Sequence, residues 1–238
     1  MTRLLASVRS EAEAEQALLS GADIIDCKNP ADGALGALPP KTIVRIVDAV
    51  ARERPVSATA GNIRNDPLHL YNQVCRTGDC GVDFVKAGLF EHAAIPEQLR
   101  TFAKLAKDHA LIAVCFADRP FPSDLLPQLA DSGVQGVMVD TAGKRAAGLT
   151  ELWSLERIAD FIEQARTHRL MCGVAGRICL RDIPALLTCH ADYLGFRSAL
   201  CAGRRSDGID DLAMMQVRQA IPFYEHTTIA AATGAVLH

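Results

Sequence analysis

The sequence lacks a strong excess of charge: 28 acidic against 25 basic side chains leave a formal net charge of −3 and a pI near 6.2. Without a basic footprint, nucleic acid and anionic membrane are not expected as partners. No apolar run approaches the roughly 20 residues that cross a bilayer, and Met1-Thr2-Arg3 leads directly into an apolar segment, the pattern of a chain without a signal peptide. The eight cysteines are scattered. Cys75 and Cys80 are the nearest pair, with no second pair or histidine at zinc-ligand spacing, so they read as reduced, mostly buried thiols of a cytoplasmic protein. His69, His92, His109, His168 and His190 are equally dispersed, and no metal is expected. No linker or low-complexity segment suggests a second domain.

What is present is a regular alternation, and at 49% hydrophobic the chain has enough apolar residues for a sizeable core. Strand-like runs fall at residues 4–8, 23–30, 55–61, 83–89, 111–117, 136–140, 170–176 and 192–197. Helix signals lie between them. Ser10 and Glu13 form a capping box, residues 41–52 place Ile43, Ile46, Val47 and Val50 on one face, and Asp66-Pro67 supplies an N-cap with a proline at the first helical position. The pattern predicts an α/β protein, a single (β/α)8 TIM barrel over residues 1–238, with residues 222–238 a weakly patterned C-terminal tail given no structure. A faint repeat accompanies it: Gly21-Ala22-Asp23, Gly81-Val82-Asp83, Gly133-Val134-Gln135 and His190-Ala191-Asp192 each precede an even-numbered strand.

In such a barrel, chemistry gathers where strands end. Asp26 and Lys28 lie two residues apart on one face of the second strand, at its exit through Asn29-Pro30. Taken alone, that pair reads as a structural ion pair. It is accompanied by Lys86 on the fourth strand, Asp118 and Arg119 after the fifth, and Asp140 and Lys144 around the sixth. Lysines gathered at one site disfavour each other's protonated form, which suits an amine that attacks a carbonyl to form a Schiff base, with Asp26 and Asp140 moving protons or orienting amines. The loops after strands seven and eight hold the phosphate position of this fold. Here Gly173, Gly176 and Gly195 would expose backbone N–H groups, with Arg197 and Ser198 as side-chain partners.

Several motifs together carry a resemblance to one family. They are Asp26-Cys27-Lys28-Asn29-Pro30 with Gly33-Ala34-Leu35-Gly36-Ala37, then Ser57-Ala58-Thr59-Ala60-Gly61, Val85-Lys86-Ala87-Gly88-Leu89, Asp140-Thr141-Ala142-Gly143-Lys144 and Gly195-Phe196-Arg197. Over nearly its whole length the chain resembles the (5-formylfuran-3-yl)methyl phosphate synthases, also called 4-(hydroxymethyl)-2-furancarboxaldehyde-phosphate synthases, of methanofuran biosynthesis. The resemblance implies a carbon–oxygen lyase that condenses two glyceraldehyde 3-phosphates into the furan phosphate, releasing one phosphate and two waters. It also implies Lys28 as the Schiff-base lysine, Lys86 as a proton-transfer lysine, and Asp26, Asp140 and Lys144 as supporting groups, with no cofactor beyond the covalent intermediate. The chain departs from the archaeal pattern at Arg145-Ala146-Ala147-Gly148-Leu149-Thr150, so no phosphate contact is carried over from that loop. A class I aldolase or phosphosugar lyase on the same barrel is the nearest alternative, and a non-catalytic phosphometabolite-binding regulator the one from another class. Oligomeric state is left open, a homo-oligomer included.

Overall fold

The computed structural model describes residues 1–143 and 147–222. Its strands are β1 (Arg3–Val8), β2 (Ile24–Cys27), β3 (Val56–Thr59), β4 (Phe84–Gly88), β5 (Leu111–Phe116), β6 (Gly136–Asp140), β7 (Met171–Val174) and β8 (Tyr193–Phe196). All pair in parallel, each with its sequence neighbours, and β8 pairs back to β1 to close the barrel. The helices are α1 (Glu11–Leu19), α2 (Pro40–Val50), α3 (Pro67–Gly78), α4 (Ile95–Leu105), α5 (Leu125–Asp131), α6 (Leu149–Leu152), α7 (Leu155–Thr167), α8 (Ile183–Leu187) and α9 (Asp211–Ala220). The (β/α)8 barrel is therefore the fold. The tail expected after Pro222 lies outside the described residues, as does Lys144.

Alternation along the strands sorts side chains into two layers. Ile25 and Cys27, Val56 and Ala58, Val85 and Ala87, and Val137 and Val139 join the large cluster packed under the helices. Leu5, Ile24, Ile112, Val114, Met138 and Tyr193 form a second, smaller cluster. Their parity continues along the same faces to Ser7, Asp26, Lys28, Ser57, Lys86 and Asp140, so the polar groups lie on the inward faces, toward the C-terminal end.

The repeat is a physical one. Gly21, Gly81, Gly133 and His190 all take left-handed backbone, with φ of 84°, 86°, 78° and 57°. That turn ends the preceding helical segment and sends the chain into an even-numbered strand. Two residues later Asp23, Asp83 and Asp192 accept from Leu4 N, Val56 N and Cys172 N at 2.7 Å each, pinning the start of an odd-numbered strand. Gln135 stands at that position in the third repeat.

The capping box at α1 forms by half. Ser10 accepts from Glu13 N, but the Glu13 carboxylate accepts from Arg9 N at 2.9 Å and pairs with Arg197 at 2.6 Å. Glu13 is buried, and a buried carboxylate takes a cation in preference to a return bond to the helix start.

Candidate active site

Asp26 is the centre of the barrel mouth. It is fully buried, and each of its oxygens is satisfied. Register places Ser7 of β1 and Ser57 of β3 directly beside it on the flanking strands. Ser7 Oγ donates to Oδ2 at 2.9 Å and Ser57 Oγ to Oδ1 at 2.8 Å. The ammonium of Lys86, from β4, reaches Oδ1 at 2.5 Å. Burial alone would raise the Asp26 carboxyl, but Lys86, Lys28 and the Ser57 hydrogen bond outweigh it and hold Asp26 below its ordinary value. Burial pulls Lys86 the other way, and Lys28 adds to it; Asp26 offsets only part, so Lys86 sits below the ordinary lysine range. An anionic carboxylate beside an amine that gives up its proton readily has the chemistry to pass protons.

Lys28 does not pair with Asp26, its neighbour on β2. Its Nζ lies 3.5 Å from Asp140 Oδ2, at the end of β6 across the barrel, while Asp140 Oδ1 accepts from Thr141 N at 2.7 Å. Both lysine–carboxylate pairs line one cavity of about 280 Å³. Lys28 is the more accessible amine, its side chain 11% exposed against 3% for Lys86. After β6, Ala142 N and Gly143 N donate to Asp118 at 2.8 and 2.7 Å, which holds the backbone leading to Lys144.

The glycine loops divide. Gly176, Gly195 and Ser198 line the cavity. Gly173 does not: it lies within β7, and a Cβ there would fall 2.1 Å from the Tyr193 ring. Its glycine makes room for an aromatic ring inside the barrel, not for an anion.

Arg197 lines the cavity as expected, but its donors are engaged elsewhere. Its five N–H donors are all taken by protein: Nε by the Arg205 carbonyl, Nη1 by the Ser7 carbonyl and Glu13, Nη2 by Glu13 and the Asp207 carbonyl. None is left for a phosphate, and the side chain holds the segment after β8 in place.

Ser7 and Arg205 carried no signal in the sequence, and Glu13 showed only as a helix-capping residue. The serines could have been found by extending inward parity from Asp26 to its neighbours in register; Arg205 could not, because it follows β8 on irregular chain. Burial pushes the Cys27 and Cys172 thiols up and Cys115 up to about 12, so these thiols stay protonated and do not compete with the lysines as nucleophiles.

Buried amines and carboxylates at the C-terminal mouth of a closed parallel barrel define an enzyme of the (β/α)8 class. The family follows from its relatives. A (5-formylfuran-3-yl)methyl phosphate synthase of Methanocaldococcus jannaschii is 31% identical over 226 residues, 90% of this chain and 96% of that protein. A protein of Methylorubrum extorquens to which the same synthase name is provisionally attached is 41% identical over 221 residues, 92% of this chain and 90% of its own length. The family model for 4-HFC-P synthase matches residues 4–218, and the chain belongs to that family. Among solved structures, phosphoribosyl anthranilate isomerase from Thermus thermophilus superposes with a TM-score of 0.63 at 15% identity, covering 92% of this chain and 98% of that one. That likeness is one of fold.

Proposed function

We propose that this chain condenses two molecules of glyceraldehyde 3-phosphate into (5-formylfuran-3-yl)methyl phosphate, as a step toward a methanofuran-type cofactor. The observation that carries the reading is the opening of the Lys28–Asp140 and Lys86–Asp26 pairs into one cavity. The Lys28 amine attacks an aldehyde carbon and releases water to form an imine, an electron sink that acidifies the neighbouring carbon. Asp140 orients the amine. Lys86 and Asp26 move the protons that carbon–carbon bond formation, dehydration and phosphate loss require. Closing the furan ring and releasing Lys28 completes the turnover. The six carbons of the product come from the two trioses, one phosphate is retained, and the other leaves as inorganic phosphate with two waters, so the atoms balance. No step calls for a metal or an organic cofactor. The free thiols of all eight cysteines support a reducing, cytoplasmic setting.

The test is incubation with glyceraldehyde 3-phosphate, followed by product analysis and borohydride trapping. The reading predicts both a furan aldehyde phosphate and a reduced adduct. An adduct with an acyclic product would make the protein a class I aldolase or lyase. Neither adduct nor product would leave a phosphometabolite-binding protein.

A further inference from the structure

The cavity wall carries a cation for which the described residues supply no ion-paired carboxylate. Arg205, between β8 and α9, lines the cavity; its Nη2 donates to the Gly33 carbonyl at 3.0 Å, and its Nε is buried without an acceptor. Among the described residues no carboxylate forms an ion pair with it. Burial draws this guanidinium below the ordinary arginine value; Asp140 offsets that, while Arg177 and Arg197 add to it. A partly desolvated cation held by one neutral acceptor calls for an anion.

The surrounding chain is arranged to present it. Arg197, neutralised by Glu13, spends its Nε on the Arg205 carbonyl and an Nη2 hydrogen on the Asp207 carbonyl, fixing the segment from which Arg205 projects. Arg204, one residue earlier, faces solvent with its side chain 88% exposed. The partner of Arg205, Gly33, belongs to the loop that follows Lys28. Asn62 braces that loop from the other side, accepting from Leu35 N at 3.0 Å and donating to the Asp32 carbonyl at 2.6 Å.

We propose that Arg205 is the side-chain ligand of a substrate phosphate monoester, and that by holding Gly33 at the same time it couples phosphate binding to the position of the loop after Lys28. The assignment rests on the triose phosphate reading above. It makes Arg205 a specificity-determining residue, selecting phosphorylated over unphosphorylated aldehydes, and Arg197 a positioning residue for it. A guanidinium suits this task because its planar fork meets two phosphate oxygens at once.

The experiment is calorimetric titration of the full chain with inorganic phosphate, alongside the glyceraldehyde 3-phosphate concentration that gives half-maximal borohydride trapping. Arg205→Ala weakens phosphate binding by about 10- to 100-fold, the loss of a charge-assisted hydrogen-bonded pair. It raises the half-trapping concentration for glyceraldehyde 3-phosphate by a larger factor than that for unphosphorylated glyceraldehyde. Arg204→Ala removes the same charge nearby and stays within about twofold of wild type. Should Arg205→Ala fail to fold, Arg205→Gln keeps an amide donor for Gly33 without the charge and is expected to show the same loss. Phosphate binding within about twofold of wild type in a folded Arg205 variant overturns the assignment, as does equal weakening by Arg204→Ala. Arg205-dependent phosphate binding without any triose adduct would refute the triose phosphate reading and leave Arg205 as a phosphate ligand.

Discussion

Lys86 Nζ lies 2.5 Å from Asp26 Oδ1, with the two side chains 3% and 0% exposed. The pair joins β4 to β2 across β3, whose Ser57 hydroxyl donates to the same carboxylate oxygen. Taking two charges out of water is costly, and a pair alone seldom repays it. Here the two serine hydroxyls complete the coordination of Asp26, so the charge is buried in a full shell of donors. Such an arrangement keeps the carboxylate ionised and lets the amine beside it change protonation state.

Replacing Asp26 by Asn leaves Lys86 buried without its counter-ion. The expected cost at neutral pH is about 3–5 kcal/mol, read from urea melts. The Asp26 carboxyl is lower in the folded than in the unfolded protein, so its contribution is complete above the unfolded carboxyl value. It is lost as pH falls through the folded value. The stability gap between wild type and Asp26→Asn should therefore narrow on acidification below about pH 4. A gap independent of pH would deny Asp26 this role.

Lys86→Met removes the mobile proton and keeps a similar volume. Proton-transfer groups contribute typically about 10²- to 10⁴-fold, and the furan-forming rate should fall by that order. Borohydride-trapped adduct should persist, because Lys28 is untouched. Loss of adduct in step with rate would move the covalent site to Lys86.

Much of this was legible in the residues, and the reasons differ from group to group. The strands were readable because the helix-facing positions Ile25, Cys27, Val137 and Val139 are apolar on one parity while Asp26 and Asp140 break the other. The gathering of Lys28, Lys86 and Asp140 was readable because each follows the inward parity of its strand toward the C-terminal half. Who pairs with whom was not. Asp26 on β2 and Lys28 just beyond it share one parity, yet barrel closure and strand tilt bring Lys86 to Asp26 and Asp140 to Lys28. The phosphate loops misled for a similar reason: Gly173 and Gly176 look alike in sequence, but one lies under Tyr193 and the other on the cavity.

Gly173→Ala tests that distinction. The new methyl would meet the Tyr193 ring at 2.1 Å, a clash with a rigid group packed in the barrel core. The variant should lose at least about 1–3 kcal/mol in urea melts. Phosphate affinity of the folded protein should stay at the wild-type value. Weakened phosphate binding without destabilisation would return Gly173 to the anion site.

Glu13→Gln removes the carboxylate that neutralises Arg197 and leaves a buried guanidinium paired only to carbonyls. A destabilisation of about 3–5 kcal/mol is expected. Phosphate binding should weaken as well, since Arg197 then holds the Arg205 segment less firmly. Unchanged stability would show that Arg197 needs no counter-ion.

The central claim is that Lys28 carries the substrate. It is measured most directly by mass spectrometry of protein incubated with glyceraldehyde 3-phosphate and borohydride, with the adduct mapped to a single peptide. The account predicts a reduced adduct on Lys28, absent from Lys28→Ala, which melts like wild type because it gives up only one 3.5 Å pair at the cavity wall. An adduct mapped to Lys86, or one of undiminished yield in Lys28→Ala, would contradict it.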